Sequence, residues 1–438
     1  TLGDVLGGQY YADNGGIVIR AGGKLDGGQL VSGKPLYTVL ALGDAQAQVR
    51  ANGDANIQAM INPHLVVQAS RNPGGTGNNN ITTTGNITSS STLWSLFSTY
   101  SEATAVAVAS LGGNVVLHNN ITSSTPASAS LSNAFSSAST QLNFGISSNN
   151  YKAGDALLTL PPSLSATAYQ SGIAINGSGA VILSPAPFAE LNLLAADSVN
   201  LTQKLVMSDT DPLPSVMSPA RKTDGLTNAS LINPALSHAA TPVHLNDTVP
   251  VRIAAVAGDV KGKVDSLSLS LPKAVSVKAG RDVLDLGVSA QHVNPANNVS
   301  RIEAGRDVSF TLSETGERSK GAFIWIGGPG RLEVTAGRDV DLGASAGIVS
   351  RANLDNVALP DSGASIQVSA GVGENGVDYA GAVARLAGQL ETGNVDDATL
   401  WLARWLTGDE TLAAPDALAA VRAVEAAGSD AQREGVRS

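Results

Sequence analysis

The sequence predicts an all-β solenoid, a chain wound into stacked coils. Three observations carry that reading. The phrase Ala-Gly-Arg-Asp-Val returns at 279–283, 304–308 and 336–340. Short stretches on both sides of it alternate apolar and polar residues, as half-buried strands do. The composition is wrong for an ordinary globular core: aromatic residues are 4% of 438, cysteine is absent and glycine reaches 47. A core with few large side chains must use small aliphatic ones in a regular way.

The repeat defines one coil. Residues 275–286 read VSVKAGRDVLDL, residues 302–312 IEAGRDVSFTL and residues 332–342 LEVTAGRDVDL. Gly280, Gly305 and Gly337 mark these copies. An eroded copy, VAGDV, carries Gly258, and SIQVSAGVG surrounds Gly371, so successive glycines lie 22, 25, 32 and 34 residues apart. Weaker copies stand upstream at Ile17–Leu25, Val49–Ile57 and Leu191–Leu201. Each unit reads as a strand, a sharp corner and a second strand, with the corner glycine expected to use its freedom to adopt positive φ. Stacking pairs each strand with its counterpart one coil on, about 4.8 Å away. At about 22 residues per coil, the stretch before the C-terminal helices has room for at most about 15 coils and 75 Å.

The corner charges are expected to point outward. Stacking should bring Arg281, Arg306 and Arg338 near Asp282, Asp307 and Asp339, a mildly favourable mixed ladder. These are read as structural repeat corners, with a ligand site along the ladder as the alternative.

The chain divides by character. Residues 1–70 and 251–373 read as regular coils. In 71–150 only Arg71 and Glu102 are charged, and Ser, Thr, Asn and Gly dominate. Two alternating stretches, SEATAVAVASL and GGNVVLHNNITSS, mark coils there between long polar loops. Trp94, Phe97 and Tyr100 are expected to pack a loop against the stem. Residues 151–250 hold irregular coils and, from 208 to 248, a Pro-rich excursion. Asp209 and Asp211 flank Thr210 in it and are read as solvated. Residues 374–438 switch to helical period, with three short helices. Asp396 or Asp397 can cap the second, and Pro415 suits the first turn of the third. Leu400, Trp401, Trp405 and Leu406 should form an apolar face. From Glu374 onward 11 acids face 5 arginines, a net −6 of the total −10.

Several functions are excluded or unsupported. A net charge of −10 argues against a backbone-tracking nucleic-acid binder. No stretch approaches about 18 apolar residues, so no membrane insertion by a helix is expected. Without cysteine there are no disulfides, thiolate metal sites or Cys nucleophiles. His64, His118, His238, His244 and His292 show no metalloprotease or nucleophile-elbow spacing. GGPGRL at Gly327–Leu332 lacks the Lys-Ser/Thr ending of a P-loop and reads as a turn. No catalytic residue, metal or cofactor is assigned, and the chain is not expected to be an enzyme. It opens without Met or a signal-type segment and reads as a piece of something longer.

At VSVKAGRDV, RIEAGRDVSF and the stretch from Gly327 to Gly373, the text resembles the filamentous haemagglutinin family, toward the C-terminal half of those proteins. The likeness is specific from about Val251 to Gly373, looser over Gly15–Ala69 and compositional between 71 and 250. It implies a right-handed parallel β-helix in a bacterial exoprotein of two-partner secretion, exported to the cell surface or medium. The implied partners are an outer-membrane transporter, engaged through a region outside this chain, and an unidentified glycan or protein on a host or bacterial surface. The implied function is a stalk or display segment of an adhesin in attachment, aggregation or biofilm. A polysaccharide-acting enzyme on the same solenoid and the scaffold of a contact-dependent toxin-delivery protein are the alternatives. The family supplies no catalytic residue to carry over.

Overall fold

A computed structural model describes residues 3–28, 30–31, 34–35, 37–62, 98–119, 159–177, 180–210, 239, 241–294, 298–317, 321–352, 358–373, 376–377, 379–393 and 395–427. The chain falls into two compact units, Thr1–Ser369 and Ala370–Ser438. The first is a parallel β-helix.

Its coils have three faces. Face one is a series of ten strands from Gln9–Ala21 to Ser365–Ser369, and face two is ten short strands from Val5–Leu6 to Val340–Asp341. These make one 20-stranded sheet, joined where Thr38–Ala41 pairs with Ile57–Ile61. Face three is a separate sheet of seven strands, from Thr159–Leu160 to Ile348–Arg351. Within all three faces each strand pairs in parallel with its counterpart one coil on.

The alternation of the sequence explains the core. On face one, Ile19, Val49, Val108, Ala166, Leu193, Ile253, Val277, Ile302 and Val334 stand on successive rungs. All are buried. Residues on either side in each strand point the other way, to solvent, as the two-residue period of a strand requires. The last position of face one is a column of small residues. Ala21, Ala51, Ser110, Ala168, Ala195, Ala255, Ala279, Ala304 and Ala336 share it, all buried. The weak upstream copies occupy the same column as the strong ones.

The corner glycines follow a different rule from the one expected. Gly280, Gly305 and Gly337 do not have positive φ. What they need is closeness. A Cβ on Gly280 would lie 2.0 Å from the Val256 carbonyl oxygen, one on Gly305 2.1 Å from that of Gly280, and one on Gly337 2.0 Å from that of Gly305. Each corner N–H bonds the coil before it, Gly305 to Ala279 O and Gly337 to Ala304 O, both at 2.9 Å. The stacked backbones therefore leave no room for a side chain. Gly258 is not the counterpart of Gly280. Val256 holds that place, its N–H bonding Ala195 O at 2.8 Å, and four residues rather than three separate Ala255 from Val260. A Cβ on Gly258 would meet Asp197 Oδ1 and Ser198 Oγ at 2.5 Å. Positive φ occurs instead at Gly328 and Gly330, in the turn expected at GGPGRL.

The described stem has ten rungs, about 43 Å at 4.8 Å per step, not fifteen. Excursions take up the difference, and they do not leave at random. The turn from face one to face two holds three or four residues in every coil. Long insertions leave only after face two or face three: between Ile61 and Ala105, Leu117 and Thr159, Met207 and Val251, and Ser309 and Ile324. Within 71–150, Ala105–Ser110 and Val115–Leu117 form one complete rung on faces one and two. Trp94, Phe97 and Asp211 lie outside the described residues. Tyr100 is buried, and its hydroxyl donates to Thr159 O at 3.0 Å.

The second unit has three helices, α1 (Tyr379–Glu391), α2 (Asp397–Thr407) and α3 (Ala414–Ala426). Asp396 caps α2, accepting from Thr399 N at 2.7 Å, and Pro415 sits in the first turn of α3. Val383, Leu386 and Leu390 pack with Ala403, Leu406, Ala417 and Val421. The apolar face of α2 is shifted from the expected one. Ala403 and Leu406 face inward with Leu400 partly buried, whereas Trp401 and Trp405 are 62% and 41% exposed and stack at 6.4 Å.

Gly305→Ala should destabilise the stem by about 2 kcal/mol or more, since overpacking against backbone cannot be relieved by a rotamer change. Gly388→Ala, with nothing within 4 Å, should leave stability unchanged or raise it by up to about 1 kcal/mol. Urea denaturation of the two variants checks both. The stem's last strand, Ser365–Ser369, is paired on one side only among the described residues, and unpaired sheet edges associate. Light scattering should show self-association rising with concentration.

Candidate functional site

The corner residues assemble into a mixed ladder as expected, each arginine pairing with the aspartate one coil before it, so the series begins at Asp259. Arg281 reaches back to Asp259, donating Nε to Oδ1 at 3.0 Å and Nη2 to Oδ2 at 2.8 Å. Arg306 makes the same two-pronged contact with Asp282, and Arg338 with Asp307, their Nε–Oδ1 distances being 3.0 and 3.1 Å. The planar guanidinium matches a carboxylate in this way. Asp339, last of the series, has no arginine on it among the described residues.

The aspartates do not all point out as expected. Asp259 and Asp282 are buried, whereas the arginines lie over them half exposed. The reason is a second bond. Oδ1 of each aspartate also accepts the backbone N–H of the next one: Asp282 N to Asp259 at 3.2 Å, Asp307 N to Asp282 at 3.1 Å and Asp339 N to Asp307 at 3.2 Å. One carboxylate thus ties the next coil by backbone and side chain together. Burial pushes the Asp259 carboxyl up, but bonds from Arg281, Lys261 and the Asp282 N–H outweigh it and hold it below the ordinary range. The Arg338 bond holds Asp307 low as well. The carboxylates of Asp259, Asp282 and Asp307 are each taken up by an arginine and a backbone N–H of the next coil, which is the chemistry of a structural seam.

A concave surface lies at another corner, between faces two and three. A cleft of about 470 Å³ is lined by Thr202, Gln203, Lys204, Lys263, Asp265 and Phe323, among others. Burial lowers the Lys204 pKa. Two ammonium groups, a carboxylate, amide and hydroxyl groups and one ring edge suit a small polyhydroxylated or anionic ligand.

Two buried polar groups escaped the sequence reading. His292 is fully buried, with Nε2 2.7 Å from Ser300 Oγ and Nδ1 2.7 Å from Pro329 O. The pair resembles a nucleophile and its base, but Ser300 occupies an inward rung between Val275 and Leu332 and no substrate can reach it. Its signal was a polar residue at an apolar place in the alternation. The second group joins Lys273, Asp247 and His244 at the corner between faces three and one. Lys273 Nζ donates to Asp247 Oδ2 at 2.5 Å and to Ala189 O at 2.7 Å, and His244 Nδ1 stands 3.1 Å from the same Oδ2. Burial pushes Asp247 up, but His244, Lys273 and the Val249 N–H pull it down to about 2. Burial lowers Lys273. No sequence spacing announces these residues, because the coil brings them together. His238 lies outside the described residues. Among the described residues no three His, Asp or Glu group closely enough to hold a metal ion, and no helix is long and apolar enough to cross a membrane.

Compared with protein-family models, curated proteins and solved structures, the chain finds no match in any of the three.

Asp259→Ala should cost about 1–2 kcal/mol, because it orphans the Asp282 N–H as well as releasing Arg281. Arg281→Ala should cost less, because exposed guanidinium contacts are screened. The Asp259 contribution is fully present above the ordinary carboxylate pKa and is lost as pH falls through its lowered folded-state value. Urea denaturation at neutral pH and in acid should show the gap between wild type and Asp259→Ala closing in acid.

Proposed function

We propose that this chain is a stalk and display segment of a large secreted bacterial adhesin, with attachment or aggregation as the role of the whole. The observation that supports this most is the placement of variation. One corner of the stem is short in every coil and is tied by the aspartate seam from Asp259 to Asp339, while the other two release insertions of differing length. A stem that only separates and presents needs such a division: a constant spine and variable outgrowths. The surface partner is a glycan or protein on a host or bacterial cell, met by the outgrowths. Export is through an outer-membrane transporter engaged outside this chain.

The cleft beside Lys204 and Lys263 favours one other reading, an enzyme acting on an anionic polysaccharide. The two separate by experiment. The intact chain should bind cells or an arrayed glycan without releasing new sugar ends from a panel of polysaccharides. Binding should fall at least tenfold when residues 66–95 and 122–156 are replaced by short linkers, which keeps the rung Ala105–Leu117. Polysaccharide cleavage that disappears in Lys204→Ala would replace the stalk reading with the enzyme.

A further inference from the structure

We propose that Lys273 and Asp247 condense into an intramolecular isopeptide bond, a covalent staple between consecutive coils of the stem. The inference is independent of what the stem displays.

The three partners come from three successive rungs of one corner. Ala189 precedes the strand Leu191–Ala195, Asp247 precedes Val251–Ala255 and Lys273 precedes Val275–Ala279. The amine and the carboxylate are each 3% exposed and 2.5 Å apart. The surrounding groups hold the atoms as an acyl transfer needs them. Ala189 O accepts from Lys273 Nζ at 2.7 Å and fixes the amine. Val249 N–H donates to Asp247 Oδ1 at 3.0 Å and polarises the oxygen that remains as the amide carbonyl. His244 Nδ1 lies 3.1 Å from Oδ2, the oxygen that must leave. The far nitrogen of His244, Nε2, is buried without a partner.

The step balances without any further reagent. In the resting ion pair Lys273 carries a proton that Oδ2 lacks. Transfer of that proton across the 2.5 Å contact gives a neutral amine and a neutral acid, the reactive minor form, which burial favours and the bonds to the carboxylate oppose. The amine lone pair attacks Cγ, and negative charge gathers on Oδ1 under the Val249 N–H. His244 relays a second proton from the amine to Oδ2. The Cγ–Oδ2 bond breaks, and the products are one secondary amide and one water. Fixed proximity replaces activation of the acid, as it does in other well-oriented intramolecular reactions. The product removes two charges from the interior. In a chain with no cysteine, it also ties the return of the 208–248 excursion to the next coil.

Intact-mass spectrometry of the purified, folded chain tests this. The expected result is a mass lower than calculated by one water, with a proteolytic peptide joining Asp247 to Lys273. Asp247→Asn should lose one ammonia instead, and Lys273→Arg, which keeps the charge but cannot acylate, should have its full calculated mass. His244→Gln should slow the appearance of the joined peptide at least tenfold. A full calculated mass for the wild-type chain, with Lys273 acetylated by an amine reagent after denaturation, would overturn the proposal.

Discussion

Every other feature of the stem depends on one constraint, the backbone hydrogen bonding of each coil to the coil before it. That ladder holds successive chains about 4.8 Å apart, too close for a side chain at a corner where two backbones cross. Glycine at Gly280, Gly305 and Gly337 is the answer to this crowding. Beside them, on the inside, stands the buried column of alanines that closes face one. The aspartate seam adds a polar version of the rule. A carboxylate tucked beneath the next coil satisfies that coil's N–H and is itself neutralised by an arginine laid over it.

Once the register is fixed, position along the chain and position in space separate. Ala51 and Ala105 are far apart in sequence, yet their strands lie side by side. Insertions between strands therefore cost the stem little, provided that they leave at a corner without a seam. Loop closure becomes more expensive only slowly with length. This is the physical basis for reading the molecule as a constant spine with variable outgrowths.

The solenoid was legible because its rule is local: alternation, Ala-Gly and a spacing near one coil. Even the eroded copies at Ile17, Val49 and Leu191 proved to share a column with the strong ones. What was not legible depended on which coil faces which. Which aspartate each arginine meets, Asp282 for Arg306, needs the register, and the burial of the aspartates needs the backbone N–H above them. The glycines were recognised for the wrong property, since sequence cannot distinguish a residue chosen for its torsion from one chosen for its missing Cβ. Gly258 shows the hazard, because it matches the phrase while Val256 holds the place. On α2 the tryptophans looked like core by their hydrophobicity, but small Ala403 is what lets the helices approach. The Lys273, Asp247 and His244 group was invisible for the same reason as the seam: two successive rungs supply it, and Ala189 on a third holds the amine.

The register itself is the claim on which the account stands, and a spin-label ruler measures it. The absence of cysteine allows clean pairs at outward positions of face one, such as Gln48 with Ser165, Ser276 or Gln367, which lie two, five and eight rungs apart. Pulsed electron resonance should give distances that rise linearly with rung number, by about 4.8 Å per rung, whatever the number of intervening residues. Distances that follow sequence separation instead, or that show no order by rung, would contradict the stacked-coil account.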